Sequence, residues 1–221
     1  VGEPDCGKES LLPDASLSPR PGSPQTYGVD GPHANKWWFF SNAVVVDFGG
    51  VYFAGQDEKL DEEEKGGLFA RFRSKKSEAE GAWSVNLKSL VSIRKRRPLD
   101  GMIVSIDVRS LLDKSPDAAA KIGRRAEVVA ERIHQAQDIL GVHVPTYVVL
   151  THCEALPGFD VFARSMPETM RDQMFGWSSP YEPETSYQPE WVDEAIGSVH
   201  EAICVTQLDL LTQVKKQEDR D

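Results

Sequence analysis

Short apolar runs bounded by turn residues predict the strands of this chain. Residues 37–40 and 43–47 are two such runs with Asn42 between them, which favours antiparallel strands joined by a tight turn. Residues 101–107 and 144–150 are almost continuously apolar, which is typical of strands buried on both faces. We therefore expect a mainly parallel sheet with the first of these runs at an edge and the other three in its centre.

Apolar residues at helical spacing predict three helices. One begins near Trp83, a second spans residues 116–140, and a third spans residues 190–217. Strands that alternate with helices of this length indicate an α/β fold with helices on both faces of the sheet. We divide the sequence into one module over residues 1–180 and a helical extension over residues 181–221.

Two segments offer few apolar side chains to a core. Residues 13–32 are rich in Pro, Ser and Gly, which predicts a long irregular connection. Residues 55–81 carry an acidic run followed by a basic run, which predicts a mobile insertion. Both segments are therefore expected at the surface, between elements that pack.

Composition and charge exclude several functional classes. The 221 residues are 40% hydrophobic, which is ordinary for a globular domain, and carry a formal net charge of −10. An acidic surface repels phosphate backbones, so we expect no nucleic acid among the partners. Three scattered cysteines argue against a disulfide framework or a thiolate metal site. No run is long enough to span a bilayer and no signal peptide opens the chain, so we expect this segment to be soluble.

A glycine-rich loop at the start of the chain is the first candidate for chemistry. Gly2, Gly7 and Lys8 match a phosphate-binding loop, whose amides and lysine contact phosphate oxygens. Such a loop follows a strand, which we expect upstream of residue 1. Glu9 stands where a Ser or Thr would hold Mg²⁺, and Ser10 could replace it only after a one-residue shift. A carboxylate about 4 Å from phosphate costs about 4 kcal/mol at an effective dielectric near 20.

Two further motifs follow predicted strands, where ligands of open α/β sheets bind. Asp47 and Gly50 form an Asp-x-x-Gly motif, in which the carboxylate holds Mg²⁺ through water and the glycine amide meets the γ-phosphate. The alternative is a strand followed by a glycine-rich turn. Thr151, His152 and Glu154 stand where a G domain has its guanine-binding Asn/Thr-Lys-x-Asp tetrad. In this chain histidine replaces the lysine of the tetrad and glutamate replaces its aspartate, so these residues do not predict selectivity for guanine.

Four segments resemble the IcmF/TssM family of bacterial type VI secretion proteins. Residues 37–52 resemble its Asp-Trp-Trp-Phe segment, which runs on to Asp-Thr-Ala-Gly-Arg-Tyr. Residues 96–104 are similar to its Arg-Arg-Pro-Leu-Asn-Gly signature, followed by an apolar residue and Ile-Val. Residues 144–159 resemble the family's Pro-Val-Tyr strand, which is followed by the tetrad and by Gly-Phe. Residues 171–176 resemble its Arg-x-Gln-(apolar)-(aromatic)-Gly segment. The segments occur in the family's order.

This resemblance implies a P-loop, G-domain-like fold in the cytoplasmic part of a large inner-membrane protein. It also implies the membrane subunits TssL and TssJ and the cytoplasmic baseplate as partners. Two functions stay open at this point. One is a degenerate, NTPase-like scaffold without a cofactor. The other is a switch that binds ATP or GTP with Mg²⁺ at Asp47 and orders residues 13–36 and 50–81.

One basic cluster belongs to neither function. Residues 94–97 read Arg-Lys-Arg-Arg and follow a predicted helix. They could dock an acidic surface or a lipid headgroup, or form a solvated helix end. The sequence does not decide between these interpretations.

Overall fold

The computed structural model of the protein describes the following residues: 1–2, 5–12, 17–21, 26–27, 35–53, 68–171, 175–182 and 185–218. They belong to two units, Val1–His152 and Cys153–Asp221, which are described separately below. The division proposed from the sequence, at residues 180 and 181, stays a prediction.

A small antiparallel sheet lies in the first unit. Its strands, in spatial order, are β1 (Thr26–Tyr27), β2 (Lys36–Phe39) and β3 (Val44–Asp47). The backbone N–H of Phe40 donates to the carbonyl of Ala43 at 2.9 Å and closes the turn between β2 and β3. The predicted hairpin is therefore confirmed. Strand β1 falls inside the predicted irregular connection, and the rest of that connection is mostly outside the described residues.

A parallel pair forms the second sheet of this unit. Strand β4 (Met102–Asp107) pairs with β5 (Thr146–Thr151) in register over six residues. Gly2 forms a parallel bridge with Ser105, whose N–H donates to the carbonyl of Val1 at 2.8 Å. The residues just before the glycine-rich loop therefore lie alongside β4 and run in the same direction.

The expectation of one mainly parallel sheet needs correction. The α/β character is confirmed, but the described strands form two small sheets, and β3 belongs to the antiparallel one. Strand β5 is not central, since Tyr147 and Val148 are 55% and 62% exposed. An apolar run predicts a strand, but it does not determine how many neighbours cover that strand.

Helices complete the first unit: α1 (Lys8–Leu11), α2 (Leu68–Ile93), α3 (Val108–Leu111) and α4 (Ala118–Leu140). Helix α2 begins well before Trp83, so residues 68–81 of the predicted insertion are helical. The rest of that insertion lies outside the described residues, and its mobility stays a prediction. Helix α4 matches the sequence prediction and ends at Gly141, whose φ of 64° suits glycine.

The second unit is helical where it is described: a 3-10 turn (Cys153–Ala155), α5 (Phe159–Ser165), α6 (Glu168–Arg171) and α7 (Glu190–Glu218). Tyr181 stacks on Trp191 with ring centroids 4.3 Å apart, which fixes the start of α7. Helix α7 confirms the long terminal helix predicted from the sequence. None of the helices in the described part of the chain is long and apolar enough to cross a membrane.

The core of the first unit is an aromatic cluster around Trp83, which is 0% exposed. Phe48, Tyr52 and Phe53 surround the indole, with ring centroids 4.9, 5.8 and 5.4 Å away. These three residues follow β3, and a 3-10 turn (Gly50–Tyr52) brings them onto helix α2. Phe48, Tyr52 and Phe53 are therefore part of the core.

Candidate functional site

The glycine-rich loop has a conformation that requires its two glycines. Gly7 has a φ of 77° and directly precedes α1. A Cβ atom there would lie 2.8 Å from Nε2 of His152, and one on Gly2 would lie 2.8 Å from the carbonyl oxygen of Ser105. Alanine would clash at both positions, because real Cβ atoms do not approach other atoms so closely. The loop is thus held against β4 and against His152.

Lys8 and Asp47 meet across the loop. The Nζ of Lys8 lies 3.2 Å from Oδ1 and 3.5 Å from Oδ2 of Asp47. The two side chains are only 9% and 16% exposed. In a phosphate-binding loop these groups would face the phosphates and Mg²⁺. Here each neutralises the other, so a nucleotide would have to replace a buried ion pair.

Thr151 connects three elements at the end of β5. Its hydroxyl hydrogen-bonds the carbonyl of Cys6, in the loop, and lies 3.2 Å from the carbonyl of Ile106, in β4. The residue is 7% exposed. The first tetrad position therefore holds the loop in place, which is a structural task and does not depend on a base.

His152 follows with a φ of 54°, which is rare for a residue with a side chain. This conformation places the imidazole ring directly against Gly7. Glu154, the last position of the tetrad, is an exposed residue of the second unit, in its first 3-10 turn. Thr151 and His152 therefore both contact the loop.

The other residues predicted for the site are Ser10, Gly50 and Glu9. Ser10 donates its hydroxyl to the carbonyl of Gly7 at 3.0 Å, which engages that hydroxyl within the loop. Gly50 is buried at the start of the 3-10 turn. Glu9 belongs to α1, and its side chain lies outside the described residues. Among the residues that are described, His, Cys, Asp and Glu side chains form no group of three or more that could hold a metal ion.

Asp107 and Arg109 contribute to the site, and sequence reasoning missed them. Oδ1 of Asp107 accepts from the backbone N–H of Arg109 at 2.8 Å and so caps α3. The guanidinium of Arg109 donates to the same carboxylate, which holds the pKa of Asp107 below its usual value. Nη2 of Arg109 also lies 3.5 Å from the carbonyl oxygen of Asp5, in the loop. Asp107 ends β4, so the strand-end rule applied to Asp47 would have found it.

Thr151→Val should destabilise the first unit by about 1–3 kcal/mol, because it leaves the buried carbonyl of Cys6 without its hydrogen bond. Urea unfolding followed by circular dichroism measures the loss. Thr206→Val, at another buried threonine, is the control: its hydroxyl donates to a carbonyl of its own helix, at Ala202, and not between elements. Equal losses would mean that Thr151 has no special role in holding the loop.

Comparison with known proteins gives a family match and a similar protein. Residues 76–221 match the family described as IcmF-related N-terminal domain. The chain is 31% identical over 180 residues to the type VI secretion system component TssM1 of Pseudomonas aeruginosa, strain PAO1, an alignment that covers 80% of this chain. The same alignment covers 14% of TssM1, and no solved structure matches the chain. The glycine-rich loop precedes the residues matched by the family. The chain belongs to the IcmF/TssM family.

Proposed function

We propose that this chain is a structural domain of a type VI secretion component. In this proposal, a degenerate G-domain-like module couples an inner-membrane complex to the cytoplasmic baseplate. It rests on one observation above all: Tyr52 and Phe53, which follow Asp47-x-x-Gly50, are built into the core. A module with that segment fixed serves as a scaffold and does not switch.

Contacts around Tyr52 and Phe53 hold this segment. Phe53 is 0% and Tyr52 is 2% exposed. The carbonyl of Tyr52 accepts from Nε of Arg132 at 3.0 Å, and its hydroxyl accepts from Nδ2 of Asn86 at 3.2 Å. Arg132 is itself buried, so releasing the segment would leave its charge without this partner. Exposing the two rings would cost a further ~1.5–3 kcal/mol each.

A nucleotide switch works differently. Its segment after Asp-x-x-Gly is ordered by the γ-phosphate and released on hydrolysis, which requires two arrangements of similar free energy. Burial of Tyr52 and Phe53 favours one arrangement strongly. The ion pair between Lys8 and Asp47 also disfavours a nucleotide switch, because it already satisfies the two groups that would meet phosphate and Mg²⁺.

Several features support a G-domain-like origin of the module. The loop runs from a backbone segment parallel to β4 into a short helix, as a phosphate-binding loop does. Asp47, Asp107 and Thr151 end β3, β4 and β5, and each contacts the loop or a residue bound to it. These features also favour the second candidate, an ATP- or GTP-dependent switch with Mg²⁺ at Asp47.

In this proposal, the location and the partners of the full-length protein are those implied by the family. We place the full-length protein in the inner membrane with this segment facing the cytoplasm, and TssL, TssJ and baseplate proteins as its partners. Residues 1–180 would form the module, and residues 181–221 its helical extension. The described surface of α7 carries exposed apolar residues that a partner could cover: Val192, Ile196, Val205, Leu208 and Leu211.

Nucleotide binding distinguishes the two candidates. The purified chain should contain no bound nucleotide, and neither Mg-ATP nor Mg-GTP should raise its Tm. A ligand at about a hundred times its Kd would stabilise the fold by about 2.7 kcal/mol, which a thermal scan detects easily. Tight co-purification of a nucleotide, or a clear Tm shift, would replace the scaffold with the switch.

A further inference from the structure

A basic surface follows helix α2 and takes no part in the site above. It consists of Arg94, Lys95, Arg96 and Arg97, all of them exposed. One carboxylate, that of Asp100, pairs with both Arg94 and Arg97 at 2.8 Å. Within the described part of the chain, Lys95 and Arg96 have no ion-pair partner. Four cations against one carboxylate leave three positive charges uncompensated.

The side chains of this surface suit an anion. The four basic side chains surround a shallow, open depression that is lined mainly by their apolar stems, so their charged groups face the solvent around it. Asp100 forms ion pairs with two of the guanidinium groups, and all three side chains are more than half exposed to solvent. Arginine forks match the oxygens of a phosphate group, and lysine adds a point charge. A phosphate-bearing ligand is therefore the chemistry that fits.

Two further observations indicate where that phosphate comes from. Ile93, the residue directly before the cluster, is an apolar side chain that is 68% exposed. The chain as a whole carries a net charge of −10, so an anionic surface repels most of it and attracts this part. Clustered cations beside an exposed apolar side chain are suited to a bilayer, where phosphate headgroups lie above acyl chains.

We propose that residues 93–97 bind the phosphate headgroups of an anionic phospholipid bilayer. The basic side chains contact the phosphates, and Ile93 inserts among the upper acyl carbons. Contact at this surface orients the domain with α2 pointing its C-terminal end at the membrane. The proposal is independent of the glycine-rich loop and holds whether or not nucleotide binds there.

Vesicle sedimentation of the whole chain tests this directly. Wild type should sediment with vesicles of phosphatidylcholine and phosphatidylglycerol, but not with phosphatidylcholine alone, and added NaCl should weaken the binding. Lys95→Glu combined with Arg96→Glu should weaken it about thirtyfold or more, since each basic residue near an anionic surface contributes about a factor of five. Ile93→Ser should weaken it as well, without changing the net charge.

The matched control is Arg20→Glu combined with Lys114→Glu. These residues are also exposed and their replacement changes the net charge equally, so binding should stay at the wild-type level. Equal losses in the two double variants would overturn the site, because net charge alone would then explain the binding. Absence of wild-type binding to the anionic vesicles would also overturn it. Calorimetric binding of pyrophosphate without vesicle binding would assign the surface to a soluble phosphate and refute the bilayer.

Discussion

Trp83→Ala should lower the free energy of unfolding of the first unit by about 3–5 kcal/mol, the usual cost of removing a buried aromatic side chain. Trp83 is fully buried, and three aromatic rings lie around it with centroids within 6 Å. No smaller side chain fills the space that they enclose. Losses of this size are a large share of a domain's total stability, so the variant should be only marginally folded.

Urea unfolding followed by circular dichroism gives this value, and Trp83→Phe gives a milder variant in case the alanine protein does not fold. Val85→Ala is the control on the same helix, because Val85 is 62% exposed and should cost less than about 0.5 kcal/mol. Amide exchange at residues 48–53 should accelerate in the Trp83 variants and not in the control. Slow exchange there in all variants would mean that the aromatic cluster does not hold the segment, and the scaffold proposal would lose its main support.

Glu9→Thr should increase the affinity for Mg-nucleotide about a hundredfold or more, because it removes a repelling carboxylate and supplies a hydroxyl for Mg²⁺. The gain depends on Lys8, whose ammonium has to leave Asp47 and meet the β- and γ-phosphates. Lys8→Ala in the Glu9→Thr background should therefore abolish it. Calorimetry with Mg-ATP and Mg-GTP compares wild type, the single variant and the double variant.

Two results would revise the account of this site. Micromolar affinity of wild type would make the chain a nucleotide switch, despite the core contacts of Tyr52 and Phe53. If the Glu9→Thr variant binds Mg-nucleotide no better than wild type, the cause of the weak nucleotide binding lies at other residues. The imidazole of His152 against Gly7 and the buried ion pair of Lys8 are then the features to change next.

The local elements of this protein were determined by the sequence itself. The turn at Asn42 between two apolar runs was sufficient to predict strands β2 and β3, because hairpin geometry depends on a few adjacent residues. Helices α4 and α7 followed from apolar positions at helical spacing. The ordered motifs were sufficient for the family assignment.

Tertiary structure alone decided which of these elements meet. Lys8 pairs with a carboxylate 39 positions away, and Thr151 bonds a carbonyl 145 positions away. Local patterns carry no information on such partners. Exposure of β5 is a second example, since its apolar residues predicted a strand with neighbours on both sides. The burial of Arg132 is a third example. A charged residue is expected at the surface, and only the structure shows that Arg132 is buried with the carbonyl of Tyr52 as its partner. Local periodicity arises from each residue's own backbone geometry, whereas pairing and burial depend on how distant segments share one core.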